Sequence, residues 1–156
     1  MKYGRLFSAT NRKYFASEIV SYITAAAAAS FTAVMASDFT NSDMLISVIS
    51  TLGGSIGFFI GGMGCYAILN IAQYRKGGRN FAADMKSMFI SNIHGIWVTY
   101  LLRIPMQYFM QKFGIAPAVA APIAQVVAGQ AGTVARIYSN YKKKIFGTDI
   151  EEKCQS

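Results

Sequence analysis

Arg103 interrupts a long apolar stretch, and it has polar company. At 100° per residue, Asn92, Thr99, Arg103 and Gln107 fall within about 80° of one another on a helical wheel. A charged side chain in such a segment is a functional candidate, because hydrocarbon disfavours it strongly. The guanidinium fork matches a phosphate through two parallel hydrogen bonds. Thr99 and Gln107 would complete the hydrogen bonding of an anion site, and Pro105 frees the carbonyl of Leu101 from its helical partner. Arg103 can equally be a snorkelling residue that marks a membrane interface. Its partners within reach are Asp38, Asp43 or a lipid phosphate.

Four further residues extend this constellation. Gln125 shares a face with Gly129, Gly132 and Arg136, offering polar groups to the segment that carries Arg103. His94, the only histidine, lies about 200° from Asn92. It suits an interhelical hydrogen bond or, alternatively, a polar relay with Glu18. Glu18 and Asp84 begin apolar segments, where a carboxylate favours the positive end of a helix. Anchoring of a headgroup is the alternative role.

The elements that position these residues follow from the distribution of charge. Only 14% of the 156 residues are charged, against roughly 25% in soluble domains. Residues 19–37, 44–74, 87–102 and 113–135 contain no Asp, Glu, Lys or Arg. About 20 apolar residues cross ~30 Å of hydrocarbon as a helix. The windows predict an all-α integral membrane protein with four transmembrane helices near 15–36, 44–72, 86–111 and 115–138. Arg103 then lies ~25 Å past the start of the third, toward the outer interface. No cleaved signal peptide is expected, since the first apolar run starts late and is long. Cys65 and Cys154 suggest free thiols rather than a disulfide or a metal site.

The chain also repeats itself. Arg12-Lys13-Tyr14-Phe15-Ala16-Ser17-Glu18 returns as Arg79-Asn80-Phe81-Ala82-Ala83-Asp84, and Tyr74-Arg75-Lys76 as Tyr141-Lys142-Lys143. Gly53, Gly57 and Gly61 return as Ala120, Ala124 and Ala128, followed by Gly132. The single domain is thus two tandem parallel helical hairpins, near 12–76 and 79–143. Small residues four apart make a smooth ridge that lets helix backbones approach in lipid. The second and fourth helices are expected to meet through these ridges. A homodimer contact is the alternative, leaving a homo-oligomer open.

Thirteen of the 15 basic residues flank one side of the predicted spans: both termini and the central connection. The positive-inside rule puts that side in the cytoplasm. The net charge of +8 therefore speaks for membrane topology and anionic headgroups, not for nucleic acid. No nucleotide-binding glycine loop, GxSxG, HExxH or acidic metal pair is present. A non-enzymatic protein without cofactor or metal is expected.

The layout resembles the GtrA-like family of small membrane proteins. The resemblance is best over residues 79–146. It rests on Phe113-Gly114-Ile115-Ala116-Pro117-Ala118-Val119-Ala120 and on the closing Ser139-Asn140-Tyr141-Lys142-Lys143-Lys144-Ile145-Phe146. Tyr141 and the lysines stand where the family has Asn-Phe, then Arg and Trp. The resemblance implies a protein of the prokaryotic plasma membrane that moves or presents polyprenyl-phosphate-linked sugars for cell-envelope glycan synthesis, beside a glycosyltransferase. Two other classes fit the same residues. One is an accessory subunit of a larger membrane complex, with other membrane subunits as partners. The other is a small-solute or ion transporter using His94 and Glu18.

Overall fold

The computed structural model describes residues 9–78 and 80–142. Every regular element among them is helical: α1 (Ala9–Phe39), α2 (Asp43–Leu69), α3 (Ile71–Arg75), α4 (Phe81–Lys112) and α5 (Pro117–Lys142). Arg79, Lys143, Lys144 and Cys154 lie outside the described residues, as do the side chains of His94 and Arg136.

Local chemistry sets the ends. Ser42 caps α2 by accepting from the Leu45 amide, with Asp43 in the first turn. Asn80 does the same for α4 from Ala83, with Asp84 in the first turn. Pro117 opens α5, at a position where a missing amide hydrogen costs nothing. The connections turn on Gly77 and Gly114, whose φ of 69° and 82° suits glycine. The predicted helix over 44–72 is divided at Asn70. The Asn70 side chain donates to the Tyr66 carbonyl at 2.9 Å and accepts from Lys13 Nζ at 3.3 Å, which separates α2 from α3. The other spans are longer than predicted, since polar residues on a single face do not end a helix.

Three helices are long and apolar enough to cross a membrane: Phe15–Phe39, Asp43–Leu69 and Pro117–Ala135. Their composition is compatible with a multi-pass membrane protein. The fourth long helix, α4, does not meet that measure.

The long helices close a ring. α1 packs on α2 and α5, α4 packs on α5 and α2, and α2 touches α5 across the middle. Tight seams use small residues. The ridge Gly53, Gly57, Gly61 lies against α1: Gly53 meets Thr32, Gly57 meets the Thr24 carbonyl and Ala28, and Gly61 meets Thr24. Thr24 Oγ1 also donates to the Gly57 carbonyl at 2.8 Å. The ridge thus faces its own hairpin partner, and α2 meets α5 through the neighbouring face. On α5, Ala120, Ala124 and Ala128 are fully buried, and Gly132 rests on Thr99 and the Gly95 carbonyl of α4. Between α1 and α5, Ala29, Ala33, Ala36 and Ala121 form one cluster with Ile46. Ser30 Oγ donates to the Ala118 carbonyl beside it, at 2.9 Å. Large apolar side chains such as Ile23, Phe31, Ile60, Trp97, Leu101 and Val134 point outward.

Candidate functional site

Arg103 is completely enclosed. α4 aims it at α2, where Nη2 donates to the Ser50 carbonyl at 2.8 Å and Nη1 to the Thr51 carbonyl at 3.2 Å. Those carbonyls also serve the α2 ladder, so the arginine binds through their second lone pairs. Nε meets no acceptor. The seam is close enough that Gly54 abuts the guanidinium on one side and Gln125 on the other.

The acids expected to pair with Arg103 are elsewhere. Asp43 forms an ion pair with Lys112 at 3.0 Å, joining the start of α2 to the end of α4. Asp38 is exposed. Lys112 also lies 5.6 Å above the Tyr108 ring. The hydrogen bond and charge of Asp43 hold the Lys112 ammonium above its ordinary pKa of 10.5. Arg103 does not snorkel to an interface either, because its side chain has no exposed surface.

The predicted stripe divides between two neighbours. Gln107, also fully buried, accepts from Ser50 Oγ at 2.7 Å on the α2 side. Thr99 turns instead toward α5, where its hydroxyl bonds back to the Gly95 carbonyl at 2.8 Å beside Gly132. Arg103 thus sits in the α2–α4 seam, not in a cleft between α4 and α5. The reason is angular: about 80° of wheel spans two adjacent helices. No protein-family model, curated protein or solved structure matches the chain.

Asn92, Thr99 and Gln125 come together in a cleft inside the bundle. Tyr22 lines it from α1, Ser55, Phe58 and Phe59 from α2, Gly95 and Tyr100 from α4, and Gly129 and Thr133 from α5. Its empty volume is about 410 Å³, part of it open at the surface. Hydroxyls knit the walls: Tyr22 donates to the Gly129 carbonyl at 2.7 Å and contacts the Thr133 hydroxyl, and Tyr100 donates to Ser55 at 2.7 Å. Gln125 Oε1 is buried there without a partner. No formal charge lines the cleft. It lies next to Arg103, separated by Gly54 and Gln125.

Glu18 is buried near the other end of the bundle and is away from Arg103. Its counterpart Asp84 accepts from Tyr74 at 2.9 Å. No group of three His, Cys, Asp or Glu that could hold a metal occurs among the described residues. Sequence reasoning misses Ser50 and Thr51, whose carbonyls receive Arg103 from α2, the buried Ser47, and Gln111 one turn beyond Gln107. Gln111 continues the four-residue step from Arg103, and that spacing is the available signal.

Proposed function

We propose that this is a non-enzymatic, multi-pass membrane protein that moves or presents a phosphate-bearing, lipid-linked sugar. This is the role that the GtrA-like resemblance implies. Arg103 supports it most directly. A buried cation has no carboxylate partner among the described residues, and a largely apolar cleft that also holds Asn92, Thr99 and Gln125 lies beside it. An arginine in a membrane helix costs up to about 2.5–3.5 kcal/mol, the value at the centre, and an anionic ligand offsets part of that cost.

In this reading α4 also crosses the membrane, as the third of four spans. Its outward residues Trp97, Leu101 and Phe109 are apolar, while Asn92, Arg103 and Gln107 face inward. Averaging both faces lowers the hydropathy of the helix without making its lipid-facing side polar. The two hairpins are parallel repeats, with termini and the α3 connection in the cytoplasm of a prokaryotic cell. A glycosyltransferase is the natural partner.

The test is lipid-phosphate co-purification and melting temperature for Arg103→Gln and Arg103→Lys. Arg103→Gln should fold and lose the lipid; Arg103→Lys keeps charge without the planar fork and should recover part of it. Unaltered lipid retention in a folded Arg103→Gln protein defeats the proposal.

The two bonds from Arg103 to α2 carbonyls favour a second reading, in which the arginine staples the hairpins of a structural accessory subunit. That reading expects Arg103→Gln to unfold the bundle and no lipid to be specifically retained.

A further inference from the structure

The seam between α2 and α4 has donors to spare. Arg103, Gln107 and Gln111 follow one another at four-residue steps along α4, and their exposures are 0%, 0% and 8%. Arg103 Nε, Gln107 Nε2 and both amide atoms of Gln111 have no partner. The facing hydroxyls of α2 are already engaged. Ser47 donates to the Asp43 carbonyl at 2.7 Å and Thr51 to the Ser47 carbonyl at 2.7 Å. Ser50 has a single proton, shared between the Ser47 carbonyl at 3.1 Å and Gln107. Whichever way the Gln107 amide is turned, one of its polar atoms is left over.

Leaving such groups bare away from water is costly, because the desolvation of each goes unrepaid. Arg103 Nε can only donate, so what satisfies it must accept. Water meets that need but leaves the charge unbalanced. Among the described residues Arg103 is the formal charge in the depth of the seam, so one negative charge balances it, whereas a dianion would leave a net charge buried in a medium of low dielectric.

We infer that the α2–α4 seam binds one monovalent inorganic anion of the halide class, held by Arg103 Nε and the Gln107 amide, with Gln111 one turn further along lining the way in. It is loaded from the end where Lys112 and Asp43 meet. Lys112 is 56% exposed there. This goes beyond the proposed function: a halide is neither lipid nor sugar, and the seam is on the α2 side of Arg103, apart from the cleft.

The test uses the full chain in zwitterionic phosphatidylcholine nanodiscs. Its melting temperature is measured in sodium chloride, sodium bromide and sodium gluconate at equal ionic strength. Chloride and bromide should raise it saturably by about 2–4 °C over gluconate. Arg103→Gln should abolish the rise. Gln107→Leu and Gln111→Leu should reduce it, while melting in gluconate at or above the wild-type temperature because an unmet amide has gone. Equal melting of the wild type in all three salts overturns the inference. So does a full halide response in Arg103→Gln or, where that variant does not fold, in both glutamine variants. Phosphatidylglycerol nanodiscs form the remaining arm: stabilisation by that lipid with no halide response assigns the seam to a phosphodiester headgroup and overturns the halide. Lipid co-purification is read separately, so a lost halide response with retained lipid sinks this inference alone.

Discussion

Gly54 and Arg103 touch across the α2–α4 seam. A Cβ on Gly54 would stand 2.6 Å from Nη1 of Arg103 and 3.0 Å from Oε1 of Gln125. The missing side chain is the room the guanidinium occupies. One glycine thereby admits the buried cation and brings it beside the cleft that Gln125 lines.

Gly54→Ala should therefore destabilise the protein, by about 1–3 kcal/mol for overpacking, despite the better helix propensity of alanine. Ala29 Cβ lies 3.2 Å away on the third side, so the new methyl has nowhere to go. Gly64 is the control, since a methyl added there would have nothing within 4 Å. Gly64→Ala should be neutral or stabilising by up to about 1 kcal/mol. Thermal unfolding in detergent compares the pair, and equal melting temperatures would argue that the seam is loose.

Gly57→Leu should loosen α2 from α1. The obstacle is the Thr24 carbonyl, 2.6 Å from the Cβ position, and backbone cannot swing aside as a side chain can. Ala124→Leu should act likewise, since Ala124 is fully buried on α5. A leucine at the outward position Ile60 should be mild. Detergent melting that is unchanged in both buried variants refutes the packing account.

Orientation is checked by single-cysteine labelling in a background without Cys65 and Cys154. Asn41 and Phe113 should label from outside the cell, and Gly78 only after permeabilisation. These positions spare Gly77 and Gly114, whose positive φ a cysteine would strain. External labelling at Gly78 reverses the proposed topology.

The Lys112–Asp43 pair should leave an alkaline signature. Its partner raises the pKa of Lys112, so the stability it adds is present below the ordinary value of 10.5 and is lost as pH rises through the folded-state value. Denaturation between pH 9 and 12 should show a decline that Lys112→Gln lacks. Because the ammonium is exposed, the difference should be small and shrink in salt. An identical pH profile for both proteins removes the ion pair from the account.

The sequence shows the helices because charge-free windows are a property of single segments. It shows the Arg103 stripe because wheel angles need only spacing. It does not show which helix that stripe meets. Thr99 and Arg103 look equivalent on the wheel, but one turns to α5 and the other to α2. Ser50 and Thr51 carry no mark of their role, since Arg103 reads their backbone carbonyls rather than their side chains. Gln111 lies about 80° round from Arg103, outside the stripe on the wheel, and its burial is a property of the assembled bundle. Gly54 is masked by Gly53, which carries the conspicuous four-residue spacing although it faces α1.

The uneven polarity of the helices bears on how the protein is made. On the four-span reading, α4 alone would expose Arg103, Gln107 and Gln111 to lipid, and an arginine resists insertion by up to about 2.5–3.5 kcal/mol, the value at the helix centre. The carbonyls that receive Arg103 belong to α2, which leaves the ribosome earlier. Gene order is thus an assembly order, with the receiver in place before the charge arrives. A circular permutant starting at Asn80 would reverse that sequence, sending the arginine into the bilayer with no α2 to meet it.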